Sequence, residues 1–302
     1  NICKIFENYI DYLFVEEIDN LYDNSDKKPL YFYRTRYSNK KPTIEEMFHI
    51  PFEQRQKIKE QRFSINGIPC LYLGATPYVC IKEIVQTKTD NDKLYTSRFF
   101  YKSGSGIKIL NLATHFQDIF RVTLNNDDLF SLDSIAYGKI SKEDYIKKTI
   151  YTYPIQCACS FLIKENNRDY KIEYTIPQII MSCISSFNVD GVSYCSTKFD
   201  VYDLSSIYLM TNFAFPAYIQ SKEKYSEKLT RSFEITEPLC FIEIQQDKSQ
   251  IHTIDIHRFV DTINKPHYEA IINGSKYIDT LYYKLEKALD KEQSYSLTPW
   301  IS

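Results

Sequence analysis

This 302-residue chain predicts an α+β fold, and three observations lead there. Short segments rich in aromatic and β-branched residues, bounded by Pro, Gly or Asn, read as strands. They are dispersed among helical stretches, without the regular strand–helix alternation of a doubly wound sheet. With 43% of residues hydrophobic and 25% charged, the chain can bury the core of one large or two small globular domains. No internal repeat, low-complexity tract or long linker interrupts it.

The elements follow in order. "NICKIFENYIDYLFVEEIDNLY" places Ile2, Phe6, Ile10, Leu13 and Leu21 at helical spacing, so an amphipathic opening helix is expected, closed by "DNSDKKP". "LYFYRTRYS", between Pro29 and Asn39, reads as a strand. Residues 40–61 are polar with helical character and suggest a lid or surface segment. Asn66-Gly67 marks a turn, "CLYLG" a strand, and Thr76-Pro77 a helix start. A hairpin is expected around "SGSG" at 103–106, with "IKILNL" as its outgoing strand, and residues 112–170 mix helix and loop. Farther on, Thr175 is a plausible cap and Pro177 fits the first turn of a helix whose apolar face carries Ile180, Ile184 and Phe187. Asp190-Gly191 then turns into the strand "VSYCS". "CFIEIQQDKSQIHTIDIH" reads as a hairpin and "SKYIDTLYYKLEKALDKEQ" as a closing amphipathic helix.

Composition excludes several function classes. A net charge of −2 without a basic stripe gives no electrostatic footprint for nucleic acid. The eight cysteines are scattered, several inside apolar runs, and read as small buried hydrophobes of a reducing compartment. Cys157 and Cys159 lack zinc-ligand spacing, as do His49, His115, His252, His257 and His267. No run is long and apolar enough to span a bilayer, and no secretory leader is visible, so a cytoplasmic protein without a membrane partner is expected. Phosphate loops, dinucleotide fingerprints and Gly-x-Ser-x-Gly elbows are absent.

Five residues stand out. Glu83 sits on the short apolar helix "PYVCIKEI", one turn after Val79, and a buried carboxylate is costly unless paired or used. Alternation along "LYFYRTRYS" puts Phe32, Arg34 and Arg36 on one face, so Arg34 either leaves the core at the strand end or meets an anion suited to its planar fork. Arg62 precedes the Asn-Gly turn. Tyr72 either faces a cleft or fills the core, as tyrosines commonly do in a chain with 26 of them. Ser196 lies just past a strand, where a hydroxyl can point into a pocket, although a lone serine is usually bland. Three of the seven glycines, Gly67, Gly74 and Gly191, flank these segments.

The ordered blocks "YFYRTRYS", "RFSINGIPCLYLGATPYVCIKE", "PQIIMSCISSFNVDGVSYCS" and "NFAFPAY" resemble the RES-domain family, named for a dispersed arginine, glutamate and serine. The resemblance spans about 30–218 and falls on Arg34, Arg62, the run Gly67 to Tyr72, Glu83, and Asp190 to Ser196. It implies an ADP-ribosyltransferase-like core of two small packed antiparallel or mixed sheets surrounded by helices. The implied NAD-cleaving domain covers 30–256, with an insertion around 112–170 and helical segments at 1–29 and 257–302. Its implied chemistry is cleavage of the nicotinamide–ribose bond by phosphorolysis or hydrolysis, with NAD as substrate, inorganic phosphate as a candidate co-substrate and no prosthetic group. Glu83 would then hold the ribose and its developing charge, Arg34 and Arg62 the pyrophosphate, Tyr72 a flat ring, and Ser196 the ribose or a phosphate. Many members are toxins restrained by a cognate antitoxin, so an antitoxin or regulatory protein is an expected partner, with a second copy of the chain also open. Two alternatives remain at this point: a mono-ADP-ribosyltransferase acting on a macromolecule, and a non-catalytic NAD- or ADP-ribose-binding module.

Overall fold

The computed structural model describes residues 4, 7–20, 30–58, 60–84, 93–113, 141–163, 171–199, 207–218, 224–246, 270–272 and 274–297. Strands β1 (Val15–Glu17), β2 (Leu30–Ser38), β3 (Cys70–Gly74), β4 (Lys93–Tyr101), β5 (Lys108–Leu112) and β6 (Gly191–Cys195) come first in chain order. They are followed by β7 (Thr211–Pro216), β8 (Phe233–Thr236), β9 (Leu239–Cys240), β10 (Ile271–Ile272), β11 (Ser275–Lys276) and β12 (Ser294–Ser296). The helices are α1 (Pro77–Ile84), α2 (Lys142–Cys159), α3 (Thr175–Ile184), α4 (Ile207–Met210), α5 (Glu227–Ser232), α6 (Phe241–Gln246) and α7 (Leu281–Leu289).

The principal sheet runs β1-β5-β6-β7-β3-β2-β4-β8-β12, with β9 also paired to β4. Its continuity is nominal at one point, because β2 and β3 share the single register pair Tyr33–Gly74. On either side the pairing is extensive: nine register pairs join β2 to β4, and five join β3 to β7. The architecture is therefore α+β, with two half-sheets packed on one another and helices outside them. Among the described strands of these halves, β5 and β6 pair in parallel and their neighbours antiparallel.

Strand alternation builds the layers. Leu71, Leu73, Phe213 and Phe215 from one half meet Phe32, Phe99, Phe233 and Ile235 from the other in the central core. Phe32 lies edge-on to Phe213 at 4.8 Å between centroids, the geometry that ring quadrupoles favour. The opposite face of the first half, with Leu110, Val192 and Ala214, packs on Ile180, Met181 and Ile184 of α3. Outside the second half, Tyr33 packs with Val79 and Ile81 of α1 and Leu285 and Leu289 of α7.

Several local expectations change in context. In place of one opening helix, Ile10–Tyr12 forms a 3-10 turn and Val15–Glu17 an edge strand, because Leu13 and Phe14 are buried against the sheet. The part of that expected helix on Ile2, Phe6 and Leu21 lies outside the described residues. "SGSG" is a turn, with Gly104 and Gly106 at positive φ, but not a hairpin: β4 pairs in one half-sheet and β5 in the other. Asp19 holds that crossing, accepting hydrogen bonds from Tyr101 Oη at 3.0 Å and from the Gly104 N–H.

Residues 40–61 are not a free lid. Met47, Phe48, His49 and Phe52 are buried, and Phe48 and Phe52 join the central core. Leu239–Cys240 pairs with β4, but the following residues form α6 rather than a hairpin, and Phe241 stacks on Tyr282 of α7 at 5.6 Å. The remainder of that expected hairpin, with His252 and His257, lies outside the described residues, as do His115 and His267. Ahead of α7, the closing segment is a strand followed by a 3-10 turn over Tyr277–Asp279. Ahead of β6, Asn188 takes the left-handed conformation. Gly191 serves a different need, since a Cβ there would lie 2.6 Å from the Phe215 ring and 2.7 Å from the Ala214 carbonyl oxygen.

Two ionisable groups, the buried His49 and the half-buried Glu16, titrate in opposition. His49 Nδ1 donates to the Ile50 carbonyl at 2.8 Å while Nε2 accepts the Ser226 N–H at 3.0 Å, which fixes a neutral tautomer. Burial lowers its pKa from 6.5 to about 4, with Arg34 adding to the effect. Between those values the unfolded chain binds a proton that the fold refuses. The contribution of His49, about 3 kcal/mol, is complete above pH 6.5 and lost as pH falls toward 4. Glu16 on β1 behaves in the opposite sense. Burial raises its pKa from 4.5 to about 7 against the help of Asn111 and Lys148, so its contribution is complete below pH 4.5 and lost as pH rises through 7. Glu16→Gln leaves His49 unopposed. Urea unfolding between pH 4.5 and 6.5 is expected to show stability rising with pH more steeply in this variant than in the unsubstituted protein. Equal slopes would refute the opposition.

Candidate active site

The site assembles at the seam between the half-sheets. Gly74 pairs with Tyr33 on one side and Asn212 on the other, and Asn212 pairs in turn with Tyr194. The chain then leaves β3 for α1. Thr76 starts that helix, its Oγ1 accepting the Val79 N–H at 3.4 Å and donating to the Leu209 carbonyl at 3.2 Å. The close approach of α1 to β3 requires glycine at 74, where a Cβ would lie 2.5 Å from Cys80 Sγ and 2.6 Å from Val79 Cγ1. Pro77 to Ile81 are buried, whereas Lys82, Glu83 and Ile84 are half-buried at the open end.

Glu83 is held there by one amide. Asn212 Nδ2 donates to Glu83 Oε1 at 2.7 Å across 129 residues of sequence. Tyr194, beside Asn212, has its phenol pushed well above the ordinary value, by burial first and by the Glu83 carboxylate next. Burial also raises the Tyr174 phenol, with Arg62 opposing and Glu83 among the groups reinforcing. These two tyrosines lie in the fields of both Glu83 and Arg62.

Arg34 follows Tyr33 directly and donates from Nη1 to the Tyr72 carbonyl at 3.2 Å. The residue is half-buried, and among the described residues its buried Nε has no acceptor. Burial lowers its pKa to about 10, with Arg36 the next cause, so the guanidinium remains charged at neutral pH. Cys70, Cys80 and Tyr72 lie in its field, and none of the ion pairs among the described residues includes it. Cys80 connects the two ends of the site: burial pushes its thiol up to about 12, Glu83 adds to the rise and Arg34 opposes it. Arg36, by contrast, is exposed and donates to the Glu46 carbonyl.

The structure thus places Arg34, Tyr72 and Glu83 around the β3–α1 junction, with Arg62 beyond Tyr174. Tyr72 packs with Phe63, Tyr194 and the α3 side of the sheet, its hydroxyl buried. Arg62 donates from Nη1 to Cys159 O and from Nη2 to Phe161 O, both at 2.8 Å, and lies 5.4 Å from the Tyr174 ring centroid. Two terminal nitrogens of this arginine therefore cap the end of α2. Ser196 is fully buried two residues past Tyr194; its N–H donates to Met210 O at 2.8 Å and its Oγ accepts the Lys198 N–H at 3.2 Å. The side chain that bonds Glu83 is Asn212, to which the sequence reading assigned no role. Its available signal was a polar residue opening the apolar segment "NFAFPAY". Among the described residues no cluster of three or more His, Cys, Asp or Glu side chains could hold a metal, and no helix is long and apolar enough to cross a membrane.

Fold and site together define an α+β protein that gathers a half-buried guanidinium, an amide-held carboxylate and several tyrosines at the seam of a split sheet. No family model matches the chain. Its sequence is 30% identical over 252 residues to the putative toxin YopC of Bacillus subtilis (strain 168). The match takes in 82% of this chain and 53% of that protein, so the chain spans about half the length of the curated relative it matches. Among solved structures it is similar to a chain of the M. tuberculosis MbcT–MbcA toxin–antitoxin complex, with a TM-score of 0.35 and 9% identity. That similarity covers 70% of this chain and 84% of the other, and is too distant to bear on chemistry.

The junction gives a direct test of packing. Gly74→Ala should destabilise the fold by about 1–3 kcal/mol in urea unfolding, because the added methyl meets Cys80 and Val79. Adding Cys80→Ala should recover part of that loss; a neutral Gly74→Ala variant would show that α1 has room to shift.

Proposed function

We propose that the chain is an NAD-degrading enzyme of the RES type, acting as a growth-arresting toxin. The observation that carries this reading is the pairing, around Cys80, of a half-buried guanidinium, with a buried Nε and no carboxylate partner among the described residues, with a half-buried carboxylate held by a neutral amide. A half-buried cation calls for an anion, and a planar fork suits a pyrophosphate. The naming of the relative as a putative toxin supports the biological role. The resemblance to the RES-domain family supports the substrate and a cognate antitoxin as partner.

In this reading Arg34 binds the pyrophosphate, Tyr72 supports a flat ring, and Ser196 orients the ribose or a phosphate from the end of β6. Arg62 adds positive charge beyond Tyr174 while holding the end of α2. Breaking the glycosidic C–N bond sends its electron pair to the pyridinium nitrogen, so nicotinamide leaves neutral and needs no general acid. The ribose carbon becomes oxocarbenium-like, as in glycoside hydrolysis, and the Glu83 carboxylate stabilises that positive charge. An oxygen of phosphate or water then bonds to the same carbon; when water attacks, its proton passes to solvent.

Incubating the purified protein with NAD, with and without inorganic phosphate, tests the reading. Nicotinamide release is expected, and its dependence on phosphate separates phosphorolysis from hydrolysis. Glu83→Gln should reduce turnover about 10²- to 10³-fold with the fold intact. Arg34→Ala should weaken NAD binding by about 1.5–3 kcal/mol, and Arg36→Ala by much less, since Arg36 is exposed on its strand. Turnover by Glu83→Gln within a few-fold of the unsubstituted protein would remove the carboxylate from the mechanism. Radioactive ADP-ribose appearing on a protein rather than in solution would move the chain to the transferases.

A further inference from the structure

We infer that Asn212 is a positioning residue for the Glu83 carboxylate, an assignment that rests on the NAD-cleavage reading. Asn212 lies on β7 between two strands, with Gly74 opposite on β3 and Tyr194 opposite on β6. The residue is 5% exposed, and the three that follow it on the strand, Phe213, Ala214 and Phe215, are apolar. A buried amide on such a strand is expensive unless it is bonded, and its Nδ2 donates to Glu83 Oε1 at 2.7 Å. The donor sits on a central strand and the acceptor on the half-buried last turn of α1, so a side chain of the sheet orients the carboxylate at the helix end.

The chemistry explains why an amide suits this position. Lysine or arginine would also orient the carboxylate, but would neutralise the charge that stabilises a developing cation. An aspartate would repel it. Asparagine donates a proton without carrying charge, restrains one carboxylate oxygen and leaves Glu83 Oε2 for the substrate. Asn212 therefore aims the negative charge and touches neither NAD nor the reacting atoms in this scheme.

Two variants separate aiming from a merely structural tie. Asn212→Ala should lower kcat at least tenfold while changing the NAD dissociation constant less than about threefold, because orientation is lost and ground-state contacts remain. Asn212→Asp places a second carboxyl against Glu83. While the pair shares one proton, the protonated group replaces the amide as donor; when that proton leaves, two like charges face each other. This variant should accordingly retain activity at acid pH and lose it as pH rises, over a range where the unsubstituted protein shows no such loss. Near-ultraviolet circular dichroism at each pH confirms that the fold persists. A structural tie would lower stability without introducing this new pH dependence. If the unsubstituted protein releases nicotinamide, Glu83→Gln does not, and both Asn212 variants keep kcat and pH profile, this inference alone is overturned. If the unsubstituted protein releases none, the NAD reading fails and takes this inference with it.

Discussion

One backbone pairing organises the molecule. Tyr33 and Gly74 are the sole register pair between β2 and β3, and Arg34, Tyr72 and the start of α1 lie within three residues of it. Arg34 is the next residue after Tyr33; it stays paired with Ser97 in the β2–β4 ladder while its side chain reaches the Tyr72 carbonyl of β3. Gly74 is the last residue of β3, so α1 begins at once and delivers Glu83 to the same place. A sheet paired along its whole length would have filled this position with ladder hydrogen bonds and apolar side chains. The seam instead leaves space for polar groups between two well-packed cores, and the extensive pairing on either side fixes where they point.

The electrostatics of the seam follow from that packing. The described ion pairs include mainly half-buried or exposed partners, such as Lys228 with Asp190 and Lys41 with Glu237, where solvent shares the work of solvation. Arg34 is half-buried, donates to one carbonyl, and has a buried Nε with no acceptor among the described residues. Glu83 is half-buried as well, with one oxygen bonded to Asn212.

How much of this was legible in the sequence depended on whether the deciding contact was local. "LYFYRTRYS" was readable because aromatic alternation and a proline boundary specify a strand by themselves, and α1 because Thr76, Pro77 and an apolar run specify a capped helix. "CFIEI" alternates like a strand, yet Phe241 and Ile244 sit three apart and α7 covers that face, so tertiary packing chose a helix. "SGSG" specifies a turn but not which half-sheet receives the outgoing chain. In 40–61 the charged residues concealed Met47, Phe48 and Phe52, whose burial depends on a surface built from distant strands. The site divides in the same way: Glu83 and Arg34 were conspicuous because each looked costly in its own segment, whereas the meaning of Asn212 appears only once β7 lies beside β3.

The position of β7 has a consequence for how the chain is made. This strand lies between β6 and β3, although most of the half-sheet it completes is encoded well before it. Until residues 211–216 have emerged from the ribosome, β3 lacks its main partner, Gly74 has no Asn212 opposite it, and Glu83 has no amide to hold it. Domains commonly begin to fold as they emerge from the N-terminal side. A nascent or prematurely terminated chain can thus carry the arginine and the glutamate without the geometry that joins them, and the site comes into being late, as a property of the nearly finished polypeptide.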